Sequence, residues 1–213
     1  MKIAIPLFLA TASAHFWKRD EPQQNGLDLA VQYLKSIQAL TINTTAVTND
    51  FHGELEEALA ISTASTKVVT ETQNATAAVA NMNMLSDNDA NILGAYTQNL
   101  AYTVNQSIAA TIQKKANFDK LSITSLVITS LQQQLNASAG FSLALTAKVP
   151  EYLRSVSAVL STQINYSILQ GIECFNGTTS ACISDVVDPQ RTRNQAVFDE
   201  ATLPDIPLPS ILS

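Results

Sequence analysis

The chain carries little of the equipment that enzyme active sites use. It has two histidines, two cysteines and one tryptophan in 213 residues. No stretch has the spacing of a zinc site, a phosphate-binding loop or a nucleophile elbow. His52 lies in "NDFHGE" beside Asp50, where a solvated turn is the simpler reading than a catalytic triad. Glu54, Glu56 and Glu57 read as the first turn of a helix, where acids complement the dipole. No catalytic residue, metal site or cofactor is therefore expected. Charge is also scarce. Charged residues make up 14% of the chain, against about 25% in an average globular protein. The net charge of −6 excludes the basic footprint of a nucleic-acid binder. Glycine is rare, at six residues, whereas Ala, Thr, Ser, Asn and Gln are abundant. That balance suits long helices with neutral polar faces.

The two ends of the chain differ from its middle. "MKIAIPLFLATASA" has a basic residue, a short apolar run and a small-residue cleavage pattern, so 1–14 is expected to be a secretory signal. Residues 15–19 end in the dibasic pair Lys18-Arg19, which would close a short propeptide. The helical domain is expected over 25–175. Residues 176–213 hold a cysteine loop and the proline-rich "TLPDIPLPSILS", an extended tail. In the oxidising compartment that a signal implies, Cys174 and Cys182 are expected to pair.

Five long helices are expected from apolar spacing. The first runs from about Leu27 to Val47 on Leu27, Val31, Leu34 and Ile37. The second runs from about Glu54 to Met82 on Leu55, Leu59, Val69 and Val79. The third opens at "LSDNDA", where Ser86 can cap it, and carries Ile92, Tyr96, Leu100, Val104 and Ile108. The fourth is Leu121 to Ala147. The fifth begins at Pro150 and carries Leu153, Val156, Leu160, Ile164, Ile168 and Ile172. The expected fold is a single all-α bundle of amphipathic helices.

The fourth stretch contains no charged residue and is about 40 Å long at helical rise, enough to cross a bilayer. It is nevertheless rich in Gln, Asn, Ser and Thr, which lipid chains would leave poorly satisfied. Ile123, Val127, Leu131, Leu135, Phe141 and Leu145 project to one side, and Gln132, Thr129 and Ser122 to the other. Leu126, Leu143 and Gln134 break that division. A bundle helix is expected, not a membrane span. Six Asn-X-Ser/Thr sites, at Asn43, Asn74, Asn105, Asn136, Asn165 and Asn176, are candidates for N-glycans. Hydrated sugars would supply the solubility that surface charge usually provides.

"SDNDANILGAYTQNL", "IQKKANFDKL" and "FSLALTAKVPEYLRS" resemble the fungal hydrophobic surface-binding protein A and cell wall galactomannoprotein family, over roughly Leu27 to Phe175. The resemblance implies a secreted, non-enzymatic helical bundle that binds apolar material. The ligand would be a fatty acid or other lipid in a cavity between the helices, or a hydrophobic solid surface, where secreted hydrolases would be recruited. Small residues mixed into the apolar stripes allow a tunnel, and an acyl chain buried there gains about 0.8 kcal/mol per CH₂. Leu100, Val104, Val127, Leu131, Val156 and Leu160, from the middles of helices three to five, are the candidate lining residues. Taken singly, each is more readily read as ordinary core. The alternative is a structural or antigenic wall mannoprotein with no small ligand. The Ser/Thr-rich stalk of some wall mannoproteins has no counterpart here, so covalent attachment to the wall is not expected.

Overall fold

A computed structural model describes residues 26–178 and Cys182. The expected signal, the dibasic segment, part of the cysteine loop and all of the proline-rich tail lie outside the described residues. Within them the chain forms α1 (Gly26–Asn49), α2 (Leu55–Ala80), α3 (Asp87–Gln113), α4 (Lys115–Lys120), α5 (Thr124–Thr146), a 3₁₀ turn (Glu151–Leu153) and α6 (Arg154–Phe175). The described residues contain no strand, so the fold is all-α. The five long helices match the five expected from spacing. The addition is α4, a six-residue helix over "KANFDK". It follows α3 after one residue, Lys114, which serves both helices as a cap. Pro150 stands just before the 3₁₀ turn instead of opening α6 itself.

Helix starts follow local chemistry. The Ser86 hydroxyl accepts from the Asp89 N–H at 3.2 Å, with Asp87 and Asp89 in the positive first turn. At α2 the Glu57 carboxylate accepts from the N–H groups of His52, at 2.7 Å, and Glu54, at 3.3 Å. Gly53 lies between these two donors with φ +104°, a conformation that disfavours side chains.

Packing between helices closes a cycle. α1 packs on α2 and α3, α2 on α5, α5 on α6, and α6 on α3. At ordinary interhelical spacing, a ring of five places each axis about 8 Å from the centre, against about 6 Å for a ring of four. Only large side chains can fill such a centre. At one end they do. Phe118 of α4 stacks on Phe51 of the α1–α2 turn at 4.5 Å, and meets Phe175 of α6 edge-on at 5.9 Å. Lys114 Nζ and Asn117 Nδ2 both donate to the Phe51 carbonyl, at 2.9 and 3.1 Å, and hold that turn against α4. At the opposite end the Leu85 N–H donates to the Lys148 carbonyl at 2.8 Å, joining the α2–α3 and α5–α6 connections.

Two stripes differ from expectation. Leu55 and Leu59 are each 67% exposed. α2 instead buries Ala58, Ile61, Ala64, Ser65, Thr72, Ala75 and Val79. Residue size was misleading there, because the inward face of α2 is a stripe of small residues that lets α1 and α5 approach closely. On α6 every buried residue lies at Ile164 or later, and Val156 is 55% exposed. The first ten residues of that helix are at most half-buried, although Ser157 among them shares a hydrogen bond with Thr146 of α5 at 2.9 Å. Threonines occupy much of the interior of α1. The hydroxyls of Thr41 and Thr44 are satisfied by carbonyls one turn back, while the buried Thr48 Oγ1 has no partner among the described residues.

Candidate functional site

Beyond the aromatic end, the ring encloses a lumen of about 380 Å³ lined by all five long helices. That volume lies in the range of small-molecule sites. Its lining on α3 extends from Ala90 to Ile108, about 27 Å at helical rise. The wall is mostly apolar, with Leu34 and Ile37 from α1, Leu93 and Leu100 from α3, and Phe141 and Leu145 from α5. Polar groups are placed at intervals along it, among them Thr41, Thr44, Thr72, Ser107 and Gln134. No lining residue is Asp, Glu, Lys, Arg or His. Asn91, Gln98 and Val156 line the lumen and are also exposed. They mark where it reaches solvent, between the first halves of α3 and α6.

Four of the six expected lining residues, Leu100, Val104, Val156 and Leu160, border this space. Val127 and Leu131 do not. Leu131 is buried, and its Cδ1 lies 3.3 Å from where a Cβ on Gly171 would be. α5 begins beside α4 and reaches the lumen only from Gln134 onward, so its early residues pack in the filled part of the ring. Spacing along one helix cannot reveal that offset. The missed residues include Phe141, Leu145 and the Thr/Ser positions. One signal was available: Gln134, a polar residue on the apolar side of α5, lines the lumen.

The titrating groups whose pKa departs from the ordinary value all lie outside this lining. Hydrogen bonds, above all from the His52 N–H, hold the Glu57 carboxyl below its usual range. The Lys115 ammonium, then the Thr124 hydroxyl, does the same for Asp119. Tyr152 is raised by its hydrogen bond to Asp87, which ties the 3₁₀ turn to the start of α3 beside the lumen's opening. His52 is an exposed turn residue with Nδ1 3.4 Å from Glu57 Oε1. Among the described residues no His, Cys, Asp and Glu cluster could hold a metal ion. Nor is any helix there long and apolar enough to cross a membrane.

Cys174 and Cys182 form a disulfide with Cα atoms 4.8 Å apart. Of the candidate glycan sites, Asn43, Asn74, Asn136 and Asn176 are exposed, whereas Asn105 and Asn165 are half-buried. Asn165 Oδ1 accepts from the Ser138 hydroxyl at 3.0 Å, an engagement that ties it to α5. Leu126 and Leu143, the residues outside the apolar stripe of α5, are 67% and 74% exposed.

Known proteins resemble both this fold and this sequence. Cell wall mannoprotein 1 of Aspergillus flavus is 30% identical over 124 residues, covering 58% of this chain and 45% of that protein. The chain spans about half the length of the curated relatives it matches. Ligand binding domain 1 of the Penicillium marneffei MP1 protein, solved with arachidonic acids, superposes with a TM-score of 0.68 at 22% identity. The match covers 71% of this chain and 99% of that one. AFMP4P, solved with palmitic acid, gives the same TM-score and identity over 70% of this chain and 99% of that one. At this identity these two likenesses establish the fold. The family described as hydrophobic surface binding protein A matches residues 28–147, which is α1 through the end of α5 and more than half of the chain. The chain belongs to the hydrophobic surface binding protein A family.

Proposed function

We propose that this protein is a secreted, non-enzymatic carrier of lipid acyl chains, held in the lumen of the five-helix ring. The observation that carries this reading is a charge-free lumen long enough for an extended chain. Three bonds of an extended backbone span about 3.5 Å. At the same rise, about 27 Å of lumen takes a chain of roughly 20 carbons. Ten buried methylenes contribute about 8 kcal/mol before the cost of immobilising the chain. The arachidonic and palmitic acids in the structural neighbours support a fatty acid as the ligand. The signal-like N-terminus and the wall mannoprotein names of the relatives support a place outside the cell or in its wall.

Leu55, Leu59, Leu126 and Leu143 favour a second mode. These large apolar residues are exposed on α2 and α5, two helices that pack side by side. They suit adsorption to a hydrophobic solid without opening the ring, and recruitment of secreted hydrolases would extend that mode. Native mass spectrometry of gently purified protein is expected to show co-purified fatty acid. Added fatty acid is expected to raise the melting temperature. If the protein is always ligand-free and its melting temperature never responds, it is not an acyl carrier.

A further inference from the structure

We propose that the end of the lumen nearer the aromatic cap is a headgroup subsite for a polar group that donates a hydrogen bond. An alcohol, a primary amide or a protonated carboxylic acid fits it; a carboxylate does not. This inference rests on the acyl-carrier reading and deepens it.

Three hydroxyls define the subsite. Thr41 and Thr44 of α1 line the lumen and are 4% and 6% exposed. Their hydrogens are committed to their own helix, donating to the Ile37 carbonyl at 2.8 Å and the Leu40 carbonyl at 2.9 Å. Each can offer the lumen only oxygen lone pairs. Ser107 of α3 lines the same space and is 8% exposed. Its carbonyl accepts from Thr111, but its hydroxyl has no partner among the described residues. The hydroxyl is therefore available to donate.

The packing of α1 on α3 brings these groups to one level. The C-terminal ends of both helices lie at the aromatic end, where Lys114 reaches the Phe51 carbonyl, so the two helices run the same way. Gln38 Nε2 donates to Thr103 Oγ1 across their interface at 3.1 Å. Thr41 and Ser107 lie about one turn beyond that contact on each helix. A hydroxyl or protonated carboxyl there finds acceptors in Thr41 and Thr44 and a donor in Ser107. A carboxylate would set its lone pairs against those of the threonines.

No cation lines the lumen: Lys114, about two turns beyond Ser107 toward the cap, has its Nζ on the Phe51 carbonyl at 2.9 Å, Lys115 of α4 pairs with Asp119 at 2.7 Å, and Lys120 of α4 does not border the space. The titratable groups of the surrounding helices are Asp28, Tyr33 and Lys35 on α1; Glu56, Glu57, Lys67 and Glu71 on α2; Asp87, Asp89, Tyr96 and Tyr102 on α3; and Arg154, Tyr166 and Glu173 on α6. None of them lines the lumen, and α5 carries none. Burial without a counter-charge opposes ionisation of a carboxyl.

The test uses three C12 probes that share one chain: dodecanol, dodecanoic acid and methyl dodecanoate. Their affinities are measured from pH 5 to pH 8, with dodecane as a headless control. Dodecanol affinity is expected to be flat with pH. Dodecanoic acid is expected to weaken by close to tenfold per pH unit above its ordinary carboxyl pKa, near 4.3 by analogy with Glu, because only the neutral form enters. Methyl dodecanoate, which cannot donate, is expected to bind about fivefold or more weaker than dodecanol. Ser107→Ala is expected to weaken dodecanol about fivefold and leave dodecane unchanged. Because that change also removes the Asn105 glycan site, Asn105→Gln is the control and is expected to bind like wild type. A flat pH response for the acid, an ester that binds as well as the alcohol, or an unchanged dodecanol affinity in Ser107→Ala overturns the subsite. The pH and ester measurements use wild-type protein, so they decide the matter even if the variant misfolds. If no probe binds, including dodecane, it is the acyl-carrier reading that falls.

Discussion

The two ends of the helical ring are built from the same five helices and come to opposite results. At the aromatic end, Phe51, Phe118 and Phe175 occupy the centre. α6 approaches its neighbours there so closely that a Cβ on Gly171 would lie 3.0 Å from Ile108 Cγ2. Toward the other end, the helices present Thr72, Gly94, Thr97 and Ser138 to the same axis, and none of the first ten residues of α6 is buried. The backbone arrangement is shared, while the volume of the facing side chains is not. A five-membered ring stays open wherever the sequence withholds large residues from its centre, so the cavity is a property of side-chain size along the axis.

This contrast predicts that stability and ligand binding separate along the bundle. The largest effect is expected from Phe118→Ala, which removes a side chain only 2% exposed from between two other rings. It should cost about 3–5 kcal/mol by urea denaturation. Acyl-chain affinity, measured well below the unfolding transition, should stay within about threefold of wild type. If affinity collapses with stability, the two ends are not independent.

Leu160→Trp is the reciprocal change. The added ring occupies lumen instead of packed core, so stability is expected to shift by less than about 1.5 kcal/mol. Fatty-acid affinity is expected to fall tenfold or more. A variant that binds normally would place the ligand elsewhere. The smallest effect concerns the α4–α5 junction. Asp119 has its pKa depressed by Lys115 and then by Thr124. Its contribution is therefore present above the ordinary Asp range and is lost as pH falls through the depressed value. Asp119→Asn is expected to cost no more than about 0.5 kcal/mol at pH 7, because the pair is partly exposed. Urea midpoints of variant and wild type should converge as pH falls through that depressed value, and a difference that does not shrink as pH falls below the ordinary Asp range would mean that the loss is not electrostatic.

Much of the fold was readable in the sequence because its signals are local. Ser86 caps α3 through a contact three residues away, and Cys174 pairs with Cys182 across eight. The side of α5 that carries Leu131, Phe141 and Leu145 is the buried one. The lumen was readable only in part. Leu100, Val104, Val156 and Leu160 were identified as lining candidates from their mid-helix positions, yet the same reasoning selected Leu131, which packs near Gly171 instead. The segments "IQKKANFDKL" and "ALTAKVP" stood out by resemblance alone. Their structural role required partners more than 60 residues away, such as the Phe51 carbonyl that Lys114 and Asn117 hold, or the Leu85 N–H that Lys148 receives.

By itself, then, the sequence determined an all-α chain of long, nearly charge-free helices, their approximate limits, one short disulfide loop and the scarcity of catalytic chemistry. These follow from backbone preferences, caps and apolar spacing, which act within a few residues. Tertiary structure alone decided that the helices close into a ring of five, that small residues face one another across its axis, and that Ser107, Thr41 and Thr44 all line the space inside it. Those outcomes depend on which side chains oppose each other across helices distant in the chain, and no spacing within a single helix encodes that opposition.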